Sequence, residues 1–291
     1  MRSSYLLLLI LFNFLWSAAL AIYKALEGHL SRGSIVTLRF GIAAVCVLLC
    51  WPLYRGKSPR GWDLVKTAIM GIIVFMLGHR IQTMGVQLGT AGNASVLMGC
   101  EPLVTSVAAA LFLREHIGFR QWIGFAMGML GVALLNGLFG TGFKWEGLGA
   151  SLIFVSCFIC EAVFSIMGKP LMERSDKMKI LALGLLFGTI ANLLVDGPQT
   201  FAEARHLPLH FWWLIAYMAV ICTAIGYAFW FVVIEETDVN IVALTIFAQP
   251  VAGLFFATLW LHEPLHWGHL WGSLAIITGL VVGLSRTVKP A

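Results

Sequence analysis

Apolar residues run along this chain in ten blocks of about twenty, and polar residues are confined largely to the short intervals between them. The blocks lie near 4–23, 34–54, 64–84, 92–113, 118–138, 147–168, 178–196, 210–233, 238–261 and 267–286. A helix of about 20 residues crosses a hydrocarbon core of about 30 Å. Lipid offers no partner for a backbone N–H or C=O, so each block is predicted to be a transmembrane helix. The intervals are short, so neighbouring spans are predicted to run antiparallel, and no stretch reads as a separate soluble domain. Arg2, the first apolar block and Ala19-Leu20-Ala21 together resemble a cleavable signal peptide. The block has a counterpart in the second half of the chain, however, and is expected to be retained as the first span.

Composition agrees with the pattern. Of 291 residues, 59% are hydrophobic and only 11% are charged, too few charges to cover a soluble surface. The net charge of +5 sits in short basic clusters between apolar runs. That suits an anionic membrane leaflet and not nucleic acid. The six cysteines all lie within apolar runs, and Cys157 and Cys160 form a C-x-x-C without a second pair or ligand cluster nearby. They read as small packing residues.

The interval charges set an orientation. With the N-terminus inside, the inner segments hold thirteen basic residues, among them Arg55, Lys57, Arg60, Lys66, Arg174, Lys177 and Lys179. The outer segments hold four: Lys24, Arg32, Lys144 and Arg205. Both termini are therefore expected in the cytoplasm of a cell whose inner membrane the chain spans.

The chain also repeats itself. An offset of 148 places Pro102 on Pro250, Leu113 on Leu261, Glu115 on Glu263, Gly124 on Gly272 and Gly131 on Gly279. Residues 1–140 and 141–291 are thus read as two related units of five spans. Five is odd, so the second unit enters the membrane from the opposite side. Inverted repeats of this kind are a device of secondary transporters, whose sites lie near interrupted helices in corresponding positions. Here those positions are Glu101-Pro102 and Gln249-Pro250. Proline removes a backbone hydrogen bond and kinks a helix, so Pro102 and Pro250 are read as a pair of hinges.

The motifs carrying this repeat resemble a known family. Leu15-Trp16-Ser17 is followed by Lys24, then by Leu38-Arg39-Phe40. Pro102 leads into Leu113-Arg114-Glu115, Gly124 and Gly131. This order is similar to that of the drug/metabolite transporter superfamily in its EamA-type ten-helix form, and most like the YddG-type amino-acid exporters. The resemblance covers nearly the whole chain. It implies an all-α integral membrane protein, with ten transmembrane helices in two inverted five-helix repeats around a central cavity. It also implies export of small solutes, amino acids or other metabolites. One departure stands out: with an offset of 145, Glu161 occupies the position of Trp16, so a symmetric cavity is not expected.

Ionisable residues inside spans are costly and mark functional sites or internal pairs. His79, Glu101 and Glu161 are candidates to line the cavity, and Arg39 or Arg80 could instead pair with a carboxylate. His79 could exchange a proton near neutral pH. Most tryptophans, such as Trp51, Trp62, Trp213 and Trp271, lie near span ends as an interfacial belt. Trp16 and Trp230 lie deeper and, with Phe164, Tyr217 and Tyr227, could wall an apolar pocket. The candidate substrate-lining set is Trp16, His79, Met98, Glu101, Glu161, Phe164, Tyr217, Trp230 and Gln249. Such a mixture suits a neutral or aromatic amino acid, its ring stacked and its charged ends met by polar atoms.

Two features test an enzymatic reading. His262-Glu263-Pro264-Leu265-His266 matches a zinc-protease signature. Pro264 disfavours the continuous helix that signature needs, and Glu263 is the repeat partner of Glu115. No phosphate-binding G-x-x-x-x-G-K-[ST] motif occurs, which speaks against ATP-driven transport by this chain alone. The expectation is a monomeric secondary transporter, with no cofactor and no metal; a passive channel and a membrane zinc protease are the alternatives.

Overall fold

A computed structural model describes residues 3–88, 97–135, 148–253 and 267–285, and these are helical without any strand. Seven helices among them are long and apolar enough to cross a membrane, and Glu101–Phe112, Phe119–Leu134 and Val239–Gly253 are shorter apolar helices. They fall on the ten predicted blocks. Divided at changes of helix type, the α-helices in chain order are α1 (Ser3–Ala25), α2 (Arg32–Leu49), α3 (Trp62–Ile72), α4 (His79–Leu88), α5 (Glu101–Phe112), α6 (Phe119–Leu135), α7 (Leu148–Met172), α8 (Lys177–His206), α9 (Leu209–Tyr217), α10 (Gly226–Glu236), α11 (Val239–Leu244) and α12 (Trp267–Leu284). Two spans contain π-helical turns. Ile73–Gly78 joins α3 to α4, and Met218–Ile225 joins α9 to α10. Leu111, Leu194 and Val281 are among many apolar side chains left exposed, as lipid-facing positions should be.

α8 departs from prediction. Hydropathy ends the span at 196, yet the helix continues to His206, through Pro198. Asp196, Glu203 and Arg205 lower the hydropathy there without breaking the backbone ladder. Thirty residues give about 45 Å of helix, more than the hydrocarbon needs, so its polar last turns fit the interfacial region. The Asp176 side chain caps its start, accepting from the Met178 and Lys179 N–H groups at 2.9 and 3.1 Å.

The chain forms two compact units that cut across the sequence halves. One comprises Met1–Ala18, Gly85–Phe158 and Glu236–Ala291, the other Ala19–Met84 and Ile159–Glu235. In the first, α6 packs on α12 through glycines. A Cβ on Gly124 would lie 2.9 Å from the Gly279 carbonyl oxygen, and one on Gly131 would lie 2.6 Å from that of Gly272. The two helices therefore run antiparallel in close backbone contact. Phe125, Leu244, Phe247 and Ile276 fill the core beside them.

Glu115 ties the α5–α6 turn to α11. Its carboxylate accepts from the N–H groups of Val239 and Asn240 at 2.9 and 3.0 Å, satisfying donors that a helix start leaves orphaned. Arg114, just before it, takes the left-handed conformation (φ 57°) past the end of α5. Glu115→Ala is expected to cost about 1–2 kcal/mol. The apparent melting temperature of purified protein should then fall by about 2–6 °C, with Glu115→Gln falling between alanine and the native residue.

In the second unit α2 and α3 both pack against α8. At one end, the Asp176 N–H donates to the Lys57 carbonyl and Lys179 Nζ to that of Gly56, both at 2.8 Å. Arg174 lies 3.8 Å from Asp63, and Lys177 pairs with Glu235. At the opposite end, the Ser31 N–H donates to Glu203 at 2.8 Å. The α2–α3 and α7–α8 connections thus share one end of this unit, and it is the strongly basic end.

Candidate functional site

The second unit buries a cluster of ionisable groups in its core. Glu161, on α7, is 13% exposed and His79, the first residue of α4, is 3% exposed. The histidine follows a π-helical turn, which leaves the carbonyls of that turn without their usual α-helical partners. His79 Nδ1 lies 2.9 Å from the Val74 carbonyl oxygen, five residues back, and 3.2 Å from Glu161 Oε1. A carbonyl only accepts, so Nδ1 carries the hydrogen and Nε2 is left to accept. The Tyr227 hydroxyl donates to Glu161 Oε2 at 3.1 Å and lies 3.5 Å from His79 Nε2. Tyr227 is the repeat partner of His79 at the 148 offset, and each lies just beyond its own π-helical turn.

Rings enclose this trio. Phe164 stacks on Phe231 (4.1 Å between centroids, 6° between planes) and meets Tyr227 edge-on at 4.8 Å. Phe75 lies edge-on to Phe164 and Tyr227 at 5.8 and 5.2 Å. Phe40 meets His79 edge-on at 4.5 Å. Trp230 is buried, and its indole N–H donates to Ser165 Oγ at 2.9 Å.

Two arginines belong to the same unit. Arg39, on α2, is buried; Nε–H donates to Thr223 Oγ1 at 2.9 Å and Nη1–H to the Tyr23 hydroxyl at 2.5 Å. Thr223 in turn donates to the Met218 carbonyl at 2.9 Å, so a side chain serves this second π-helical turn as His79 serves the first. Arg80 pairs with Asp196, and its Nε–H donates to Asn192 Oδ1 at 2.8 Å. Asn192 Nδ2 reaches the Phe75 carbonyl at 3.0 Å. Arg80 therefore takes the carboxylate partner the sequence allows, whereas Arg39 takes hydroxyls.

Of the predicted lining residues, His79 and Glu161 meet here, Phe164 packs on Tyr227, and Trp230 is in the same unit, bonded to Ser165. Tyr217 is in the same unit, half-buried at the end of α9. Trp16, Met98, Glu101 and Gln249 belong to the first unit. There Gln249 donates to Asn13 Oδ1 at 2.9 Å, and Asn13 donates to Thr245 Oγ1 at 3.0 Å. Trp16 is half-buried on α1, Met98 is buried before α5, and Glu101 is half-buried as the first residue of α5. Pro102 sits at the first turn of α5, after a break at Gly99-Cys100, and Pro250 follows a 3₁₀ turn at Thr245–Phe247. Both lie beside tightened backbone. The segment His262–His266 lies outside the described residues.

Sequence reading missed Tyr23, Ser165, Asn192, Asp196 and Thr223. Short polar side chains carry little hydropathy signal, and each gains its role only from a partner on another helix. One legible signal was available: the 148 offset pairs His79 with Tyr227.

Comparison with known proteins follows the same division into halves. Residues 3–137 and 147–284 each match the EamA-like transporter family. An uncharacterized transporter of Archaeoglobus fulgidus is 25% identical over 274 residues, covering 92% of this chain and 94% of its own. The uncharacterized transporter YyaM of Bacillus subtilis is 22% identical over 290 residues, covering 97% and 95%. A probable terminal-alkyne amino-acid exporter of Streptantibioticus cattleyicolor is 25% identical over 255 residues, covering 85% and 82%. A solved crystal structure shares the fold with a TM-score of 0.76 at 18% identity, covering 97% of this chain and 96% of its own.

Proposed function

We propose that this chain, which belongs to the EamA-like transporter family, exports neutral and aromatic amino acids across the inner membrane by alternating access. The observation that carries the substrate class is the ring cluster of Phe75, Phe164 and Tyr227 packed directly against Glu161 and His79. An amino acid presents the matching features, an apolar or aromatic side chain beside charged ends. The relative named as an amino-acid exporter supports the same class.

Alternating access is supported by the α6–α12 contact. Gly124 meets Gly279, and their repeat partners Gly272 and Gly131 meet each other. A reciprocal contact between antiparallel equivalents is what two inverted halves produce, and inverted halves can exchange conformations. The inward orientation of both termini rests on the thirteen basic residues of the inner intervals against four in the outer ones.

Purified protein in liposomes, offered labelled phenylalanine, threonine and a sugar, tests the reading. Phenylalanine and threonine should enter saturably and faster when unlabelled amino acid is present on the far side. A passive channel would show no such counterflow. Movement of the sugar alone would overturn the amino-acid assignment.

A further inference from the structure

We propose that Glu161, Tyr227 and His79 form a proton-exchange site, which binds one proton and releases it during the transport cycle. The inference rests on the chain being a transporter and deepens the reading above by naming a coupling ion.

The geometry points to a proton because the three groups already touch one another. Glu161 as a carboxylate accepts from the Tyr227 hydroxyl through Oε2 at 3.1 Å, while its Oε1 lies 3.2 Å from His79 Nδ1, whose hydrogen is directed to the Val74 carbonyl. A proton arriving at Oε2 turns that oxygen from acceptor to donor. The Tyr227 oxygen then accepts from Glu161, and its own hydrogen must turn to another acceptor. His79 Nε2, 3.5 Å away, is that acceptor, since Nδ1 is engaged with Val74. One proton enters, no bond between heavy atoms changes, and the trio ends with one more hydrogen. The proton resides on the carboxyl group or, by transfer along the chain, on the imidazole. The site titrates as a unit, and its proton belongs to the cluster and not to one residue.

Other charged and titratable groups reach the same core. Arg39 from α2 carries a charge that reaches Glu161, and Tyr23 from α1 and the neighbouring Cys160 on α7 are further titratable groups within its electrostatic reach. Arg39 cannot be deprotonated in a protein, so it is a fixed charge. Its donors are directed to Tyr23 and Thr223. Arg80 is directed to Asp196 instead.

The site also has a means of acting on the helices. Protonation moves the Tyr227 hydrogen from α7 to His79, which links α10 directly to α4. These two residues are repeat partners, each next to a π-helical turn. Such turns are enriched at functional sites and provide a local change of helical register. The proton thus reverses the α7–α10 hydrogen bond and adds one between α10 and α4.

The test begins without any substrate. Purified protein in nanodiscs is acidified from about pH 8 to about pH 5, and proton uptake is counted against Glu161→Gln and against Glu161→Gln/His79→Gln, all first checked for monodispersity and melting temperature. Wild type should take up about one proton more per chain than the double variant. Infrared difference spectra should show a carboxylic C=O band that Glu161→Gln removes. Tyr227→Phe should keep the proton count but move its midpoint. Equal counts in all proteins would overturn the proposal. In liposomes, a proton gradient should drive phenylalanine accumulation about tenfold per pH unit for one proton per solute, and the ratio of driven to undriven transport should fall to about one in Glu161→Gln. Wild-type transport indifferent to the gradient would overturn the coupling. If no protein moves phenylalanine, the amino-acid reading fails and the proton count alone decides the site.

Discussion

Replacing Gly71 with leucine is expected to abolish folded protein, and Gly71→Ala should lower the apparent melting temperature by about 4–10 °C. A Cβ on Gly71 would run into the backbone of Gly184 on α8. Backbone cannot turn aside as a side chain can, so α3 and α8 would have to separate. The three glycines at this contact should not behave alike. A Cβ on Gly188 would lie 2.7 Å from the Gly71 carbonyl oxygen, again backbone, and Gly188→Ala should be strongly destabilising. A Cβ on Gly184 would meet the Met70 Cε at 3.4 Å, a Phe75 ring carbon at 3.5 Å and the Gly71 Cα at 3.8 Å. That is ordinary contact, and alanine adds about 1 kcal/mol of helix propensity. Gly184→Ala should therefore melt at or above the wild-type temperature. Thermal unfolding in detergent, followed by size-exclusion fluorescence, ranks the three. Equal losses at Gly184 and Gly188 would mean that the interface is set by a generic small-residue motif and not by this contact geometry.

The same interface shows what a sequence exposes and what it hides. Gly184-Leu-Leu-Phe-Gly188 is a visible G-x-x-x-G in an apolar run, yet nothing in the run says that Gly71 is its partner. Hydropathy placed the spans because lipid selects for apolar length. It says nothing of π-helical turns, since a change from i→i+4 to i→i+5 bonding leaves composition untouched. It also ended α8 early, because polar residues in a helix that outruns the hydrocarbon look like a loop. The prolines were legible as backbone irregularities. That Pro102 starts α5 rather than kinking it depends on the break at Gly99-Cys100, a local choice that no periodicity records.

For the site, the cost of burying charge drew attention to His79 and Glu161 as candidate lining residues and to Arg39 and Arg80 as candidates for pairing, and left the partners open. Polarity inside a span signals that some group must compensate it. Which group does so is a matter of tertiary packing. Thus the carboxylate expected for an arginine appears for Arg80 but not for Arg39, whose hydroxyl partners Tyr23 and Thr223 look unremarkable in sequence. The repeat held a further signal that the sequence reading did not use: the 148 offset pairs His79 with Tyr227, and their side chains lie 3.5 Å apart.

Breaking the Arg80–Asp196 pair one side at a time should be worse than removing it whole. Each side chain is about one-fifth exposed, at 20% and 18%, so neither is free to hydrate fully. Asp196→Ala leaves the guanidinium with Asn192 as its neutral partner and should cost about 3 kcal/mol, seen as a fall of about 6–12 °C in apparent melting temperature. Arg80→Met strands the carboxylate, which sits against α2 where a Cβ on Gly33 would overlap it. In Arg80→Met/Asp196→Leu no charge remains to be compensated, and apolar side chains of similar length fill the space. The double variant should therefore lose less than either single one, a coupling of at least about 2 kcal/mol in the cycle. It should not recover wild-type rigidity around the first π-helical turn. Arg80 also holds Asn192, and Asn192 holds the Phe75 carbonyl. Losing that chain should speed hydrogen exchange at residues 73–78 even where the melting temperature is restored. If the singles and the double add without coupling, Arg80 and Asp196 act separately, and the Phe75 carbonyl is held by Asn192 alone.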